Sequence, residues 1–155
     1  MADLKLMALD AEDLSVISAH LQDAVMKVGD VAYLPREKRF AAVLNRFDWA
    51  DAIQESKAGT ETFARRRAAL RFERVLSAQL QGIDLKNQSA VLNLLAIGFE
   101  PREAPEGDVT LVFADGGAIR LRVECIEAEM EDLGPAWQAK SKPQHPGDTS
   151  GLQDP

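Results

Sequence analysis

At 155 residues the chain is long enough for one domain that buries most of the surface its unfolded form exposes. An apolar share of 46% and a charged share of 28% match a globular protein and argue against a collagen-like, wholly disordered or membrane-spanning chain. The single cysteine excludes an internal disulfide, and a net charge of −7 argues against a general binder of nucleic acid or anionic membrane.

The N-terminus, Met1 to Asp10, carries Asp3 and Lys5 inside its apolar stretch and has no signal-peptide core. The most apolar window, Val91 to Phe99, is nine residues long and holds Asn93, whereas a membrane-spanning helix needs about 20 apolar residues. These features predict a cytoplasmic protein that spans no membrane, a setting that suits an unpaired Cys125. From Gln138 to Pro155 there are three prolines, two glycines and one large aliphatic residue, Leu152. Such a segment buries too little apolar area to offset its ordering entropy. The composition therefore predicts one globular domain over residues 1–137 and a flexible tail over 138–155.

In chain order, Asp10 is the first structural signal. It reads as a helix N-cap, with Glu12 and Asp13 suited to the positive end of the helix dipole. Leu9 and Leu14 fit a hydrophobic staple, and Leu14, Ile17, Leu21 and Ala24 form one apolar stripe, which predicts a helix over 11–24. The period then changes to two. Val31 and Tyr33 alternate, Pro35 to Lys38 carries a turn signal, and Phe40, Ala42 and Leu44 alternate on the return, so a β-hairpin is expected. Asp48 to Thr62 reads as a loop or short helix. Arg65 to Gln81 fits either period, and the alternation of Ala68, Leu70 and Phe72 with Arg67, Ala69 and Arg71 favours a strand. Val91 to Phe99 reads as a buried strand stopped by Pro101. Asp108–Ala114 and Ala118–Cys125 flank Asp115-Gly116-Gly117, a hairpin signal because glycine supplies the positive φ of a tight turn. Cys125 then closes the core face formed by Ile119, Leu121 and Val123. Ile126, Met130 and Leu133 return to helical spacing, which predicts a short closing helix before Gly134-Pro135.

This order predicts an α+β domain: an N-terminal helix, one curved, mostly antiparallel sheet of about six to seven strands, and a short C-terminal helix. A last strand followed at once by a helix is analogous to the pleckstrin-homology-like architecture.

Chemistry-bearing motifs are absent. The histidines are His20, beside the first helical stripe, and His145, in the predicted tail; no metal-ligand spacing links either to Cys125. Cys125 lies among Glu124, Glu127 and Glu129, an acidic setting opposite to the one that activates a thiolate. Neither a nucleophile elbow nor a phosphate-binding glycine loop occurs. Glu124, Glu127, Glu129, Glu131 and Asp132 read as a solvated helix face, and Asn87-Gln88-Ser89 is a glycosylation sequon without meaning in a cytoplasmic chain. No catalytic residue, metal site or cofactor is therefore assigned.

Charge is unevenly distributed. Residues 36–74 carry a net +4, between a −4 start and a −7 end. The cations gather at Arg36, Lys38 and Arg39 in the first hairpin turn and at Arg65, Arg66, Arg67 and Arg71. On a strand Arg65, Arg67 and Arg71 share a face, and the planar arginine fork suits carboxylate or phosphate. Pairing with the protein's own acidic segments is the competing account of this patch.

Leu4-Lys5-Leu6, Ala8 to Leu14, Leu34-Pro35-Arg36 with Phe40, Leu44 to Trp49, Val123 to Ala128 and Asp132 to Trp137 together resemble a family of small, mainly alphaproteobacterial proteins classed as a domain of unknown function. The resemblance covers residues 4–137 and implies a bacterial, cytoplasmic, stand-alone domain. It lends no residue a role. The functional expectation is thus a non-enzymatic binding or adaptor domain that engages a protein partner, or a second copy of itself, through the basic patch. A small anionic or phosphate-bearing ligand in the curved sheet and an enzyme with a dispersed site are the alternatives.

Overall fold

Alternation of apolar and polar side chains dominates the chain, and the architecture follows that period of two. A computed structural model describes residues 3–48 and 65–135. Among them are ten strands and one α-helix: β1 (Lys5–Ala8), α1 (Ala11–His20), β2 (Val25–Lys27), β3 (Val31–Leu34), β4 (Arg39–Phe47), β5 (Arg65–Phe72), β6 (Val75–Gln81), β7 (Val91–Pro101), β8 (Gly107–Phe113), β9 (Ala118–Val123) and β10 (Ala128–Pro135). The strands form one antiparallel sheet in the order β1-β10-β5-β4-β2-β7-β8-β9-β6, and β3 also pairs with β4.

Only Glu73 and Arg74 separate β5 from β6, and residues 124–127 separate β9 from β10. Since β5 pairs with β10 and β6 with β9, each is one long strand bent at a corner. Hydrogen bonds from Glu73 N to Glu127 O (2.8 Å) and from Glu124 N to Arg74 O (2.9 Å) carry the ladder through the bend. Arg74 absorbs the turn at a φ of 62°, a left-handed conformation uncommon for a non-glycine residue. The bent ribbon closes the sheet on itself, because the path from β4 through β2, β7, β8 and β9 ends on β6, the continuation of β5.

The enclosed core holds Phe40, Leu44, Leu70, Phe72, Leu94, Leu111, Phe113, Ile119, Leu121 and Met130, all buried. Helix α1 adds Leu14 and Ile17. Its start is fixed by Asp10, whose side chain accepts from Asp13 N at 2.7 Å. Ser18 Oγ accepts from Ile97 N at 2.9 Å and ties the helix to β7.

Several expectations are overturned. Among the described residues the sheet has ten strands rather than six or seven, and a strand rather than the expected helix follows β9, so the pleckstrin-homology-like analogy and the α+β assignment do not hold. Residues 128–135 form β10, paired with both β5 and β1. Its inward row is Ala128, Met130 and Asp132; the buried aspartate masks the alternation, while Leu133, which completed the helical stripe, is 52% exposed. Glu129 and Asp132 are buried ion-pair partners, not members of a solvated helix face. Helix α1 stops at His20, because Leu21 caps it and Asp23 turns the chain at a φ of 68°. Leu9 is 66% exposed and forms no staple. Strand β7 is buried only at Leu94 and Ile97, because a register shift between Leu94 and Ala96 inserts an extra residue and sends both inward. Cys125 lies past the end of β9 and is partly exposed, and Ile126 takes the inward place.

The first hairpin and the hairpin at Asp115-Gly116 are observed where expected, and the stretch over 65–81 is extended as expected but divided at Glu73 and Arg74 into β5 and β6. Beyond Asp48, the expected loop or short helix lies outside the described residues, as does the predicted tail.

Candidate functional site

The ends of strands β4 and β5 separate the predicted basic patch into two charged groups. Successive residues rise about 3.4 Å, so Arg65 and Arg71 lie about 20 Å apart along β5.

At the bent corner, Lys38, Arg39, Arg71 and Arg74 line a depression of about 470 Å³ together with Glu37, Glu73, Glu124 and Glu127. Four cations meet four carboxylates, and nearly every one is engaged. Lys38 Nζ donates to Glu124 at 2.7 Å, Arg39 Nε to Glu73 at 2.9 Å, and Arg74 reaches Glu127 at 3.3 Å and Glu124 at 3.5 Å. Arg71 pairs with Glu73 at 2.7 Å and also with Glu129, which Lys5 approaches at 3.3 Å. Hydrogen bonding from Lys38, with Arg74 beyond it, holds the Glu124 carboxyl below its usual range against a smaller desolvation effect. At Glu129 burial alone would push the value up, and the combined pull of Lys5 and Arg71 overrides it and brings the value down.

At the other end the charges enter the barrel. Arg46 continues the inward row of Phe40, Ala42 and Leu44, and Arg66 continues that of Ala68, Leu70 and Phe72. Arg46 grips Asp132 with two hydrogen bonds of 2.8 and 2.9 Å, and Asp132 also accepts from Leu4 N at 2.8 Å. Arg66 donates to Asp48 at 2.8 Å and to Asp3 at 3.0 Å. Arg46, Asp48, Arg66 and Asp132 are all buried. Desolvation acts to raise the Asp132 value, and its bonds to Arg46 and Leu4 outweigh it, so the carboxyl titrates below the ordinary range. A further buried carboxylate, Asp108, receives Arg122 at 2.9 Å and Arg102 at 3.0 Å, and those bonds likewise overcome desolvation and lower it.

Of the seven predicted patch residues, Lys38, Arg39 and Arg71 share the corner, and Arg66 is buried in the interior network. Arg65, Arg67 and Arg71 do lie on one face of β5, as expected for a strand. Arg65 donates through Nη1 to Asp23 O at 3.1 Å and to Asn45 O at 3.4 Å, and its guanidinium sits 5.6 Å from the centre of the Phe47 ring. Among the described residues, Arg36 at the exposed hairpin tip and half-buried Arg67 have no hydrogen-bonding or charged partner. Across from Arg67 in the ladder is Asn45, whose Oδ1 is buried without a donor.

Sequence reasoning passed over Arg46, Asp48, Asp108 and Asp132 as site residues. Arg46 and Asp48 were detectable, because both fall on the period-two row that starts at Phe40. No group of three or more His, Cys, Asp or Glu side chains capable of holding a metal occurs among the described residues. No helix there is long and apolar enough to cross a membrane.

Fold and charges together define a small, closed, antiparallel β domain whose arginines and carboxylates are largely paired with one another. A family model described as "Protein of unknown function (DUF2948)" matches residues 4–145, and the chain belongs to that family. No curated protein and no solved structure matches it.

Proposed function

We propose that the protein is a non-catalytic binding domain that docks a carboxylate-bearing segment of a protein partner on the outward face of β4 and β5, at Arg65 and Arg67. The observation that supports it is the contrast in pairing along the predicted patch. Lys38, Arg39, Arg66 and Arg71 already hold carboxylates, whereas Arg65 bonds only to backbone carbonyls and Arg67 has no partner among the described residues. The Phe47 ring orients the Arg65 guanidinium, and the ladder sets Asn45 beside Arg67, so donors of planar, forked geometry face outward together. The shifted carboxylates favour binding over acid catalysis. Glu124, Glu129, Asp108 and Asp132 all titrate below the usual range, opposite to the elevation a general acid needs near neutral pH.

Fluorescence anisotropy with a labelled glutamate-rich peptide tests this reading. Arg65→Glu with Arg67→Glu is expected to weaken binding at least about tenfold, the equivalent of one charge-assisted hydrogen bond. Arg36→Glu, at the far hairpin tip, is expected to leave it unchanged. Equal loss in both variants, or none in the double variant, overturns the assignment. Displacement of the peptide by low concentrations of inorganic phosphate would favour a small anionic ligand instead.

A further inference from the structure

Among the described residues, one edge of the sheet is left without a covering element. Strand β1 is only four residues long and carries Lys5, and β3 is also four residues long. The free side of β7 is occupied by Ser18 on Ile97 N and by the bonds between Leu94 and Asp23 and Ala24. Strand β6 differs. It runs seven residues, Val-Leu-Ser-Ala-Gln-Leu-Gln, with no charge and no proline. Its only strand partner among the described residues is β9, and beyond Val75 N, which donates to Lys38 O, its outer edge is open. Leu76 and Leu80 are 40% and 38% exposed there. A bulge between Val75 and Ser77 interrupts the start of the strand, and the ladder from Ser77 to Gln81 is regular; soluble proteins normally block such a stretch of edge with a charge or a covering element.

We infer that β6 pairs antiparallel with β6 of a second copy of the chain, about a two-fold axis at Gln79. The argument for a second copy is that the strand is self-complementary when reversed. The ladder to β9 sets Ala78 opposite Leu121 and Leu80 opposite Ile119 on the interior face, and Ser77, Gln79 and Gln81 on the outer face. Reversal about Gln79 brings Ala78 against Leu80 of the second copy, Ser77 against Gln81, and Gln79 against itself. Apolar meets apolar on one face and neutral polar meets neutral polar on the other. The product is a continuous sheet through both copies, with the half-exposed Leu80 covered.

Sedimentation velocity of the full chain across a concentration series, with cysteine cross-linking, tests this. The wild type is expected to dimerise with concentration, and Gln79→Lys, which sets two like charges directly opposite, is expected to weaken the dimer at least tenfold. In a Cys125→Ser background, Gln79→Cys is expected to cross-link in a glutathione redox buffer at least tenfold faster than Gln81→Cys, because directly opposed Cβ atoms in an antiparallel pair suit a disulfide. A chain that stays monomeric at its highest soluble concentration, a dimer indifferent to Gln79→Lys, or equal cross-linking at 79 and 81 overturns the inference. Arg65 and Arg67 lie on a different strand, so failure here leaves the peptide-binding reading intact, and the reverse also holds.

Discussion

Arg46 and Asp132 are joined by two hydrogen bonds although strand β5 runs between the strands that carry them. The route lies along the interior face, where Asp132 is the ladder partner of Ala68 and Ala68 is also the partner of Leu44, two residues before Arg46. A methyl group at 68 leaves the space that the arginine needs to reach the carboxylate. Removing one member takes two charge-assisted hydrogen bonds from a buried ion pair, so Asp132→Ala is expected to cost about 3–5 kcal/mol. Urea denaturation measures it. Replacing the pair together, Arg46→Met with Asp132→Leu, is expected to cost less than either single change, and a strictly additive double variant would contradict this account.

Ala68→Leu tests the same space from the other side. Ala68 is fully buried, so the added bulk is expected to overpack the row and cost about 1–3 kcal/mol. The accompanying sign is a weakened response to Asp132→Ala in the Ala68→Leu background, measured as a double-mutant cycle.

Acid should unfold the protein through its buried carboxylates. Asp108 and Asp132 both sit below their ordinary value of 3.8 when folded, so the stability they contribute is present above that value. It is lost as pH falls from near 3.8 through the lower folded values, because the unfolded chain then binds protons that the folded one does not. Denaturation midpoints measured from pH 7 to pH 2 should decline in that window, and Asp108→Asn should flatten the decline.

The exposed corner predicts the opposite scale. Arg39, 42% exposed, pairs with Glu73 in solvent. Arg39→Ala is expected to change stability by less than about 1 kcal/mol, with the difference shrinking further in high salt.

Gly107 marks a close approach rather than a turn. A Cβ there would lie 2.7 Å from Glu100 O and would enter the Phe99 ring that covers the glycine. Gly107→Ala should destabilise by about 1–3 kcal/mol, and adding Phe99→Leu should recover part of the loss but not the part due to the backbone oxygen.

The strands of the two hairpins were legible because every inward position between Phe40 and Leu44, and between Ile119 and Val123, is apolar. Strand β10 was not legible, since its inward row contains Asp132 and its outward Leu133 imitates a helical repeat. The same physics hid half of the charged residues that matter. A binary pattern treats arginine and aspartate as surface, and nothing local says that Arg46 will meet a carboxylate 86 positions later. Strand β7 shows the remaining case, where one inserted residue changes which face an apolar run presents. The basic patch was legible as composition but not as pairing, because the carboxylates that neutralise Lys38, Arg39 and Arg71 come from distant strands.

The pairing of β1 sets an order of events in time. Strand β1, the first of the ten in chain order, has β10, the last of the ten, as its only strand partner among the described residues. Leu4 N and Asp132, bonded at 2.8 Å, are 128 positions apart. Strand β1 therefore stays unpaired until β10 is available, and completion of the sheet is a late step of high contact order. Folding should be slow for a domain of this size, and shielding Lys5–Ala8 until its partner strand is available should matter more than shielding the hairpins, whose strands pair with near neighbours in sequence.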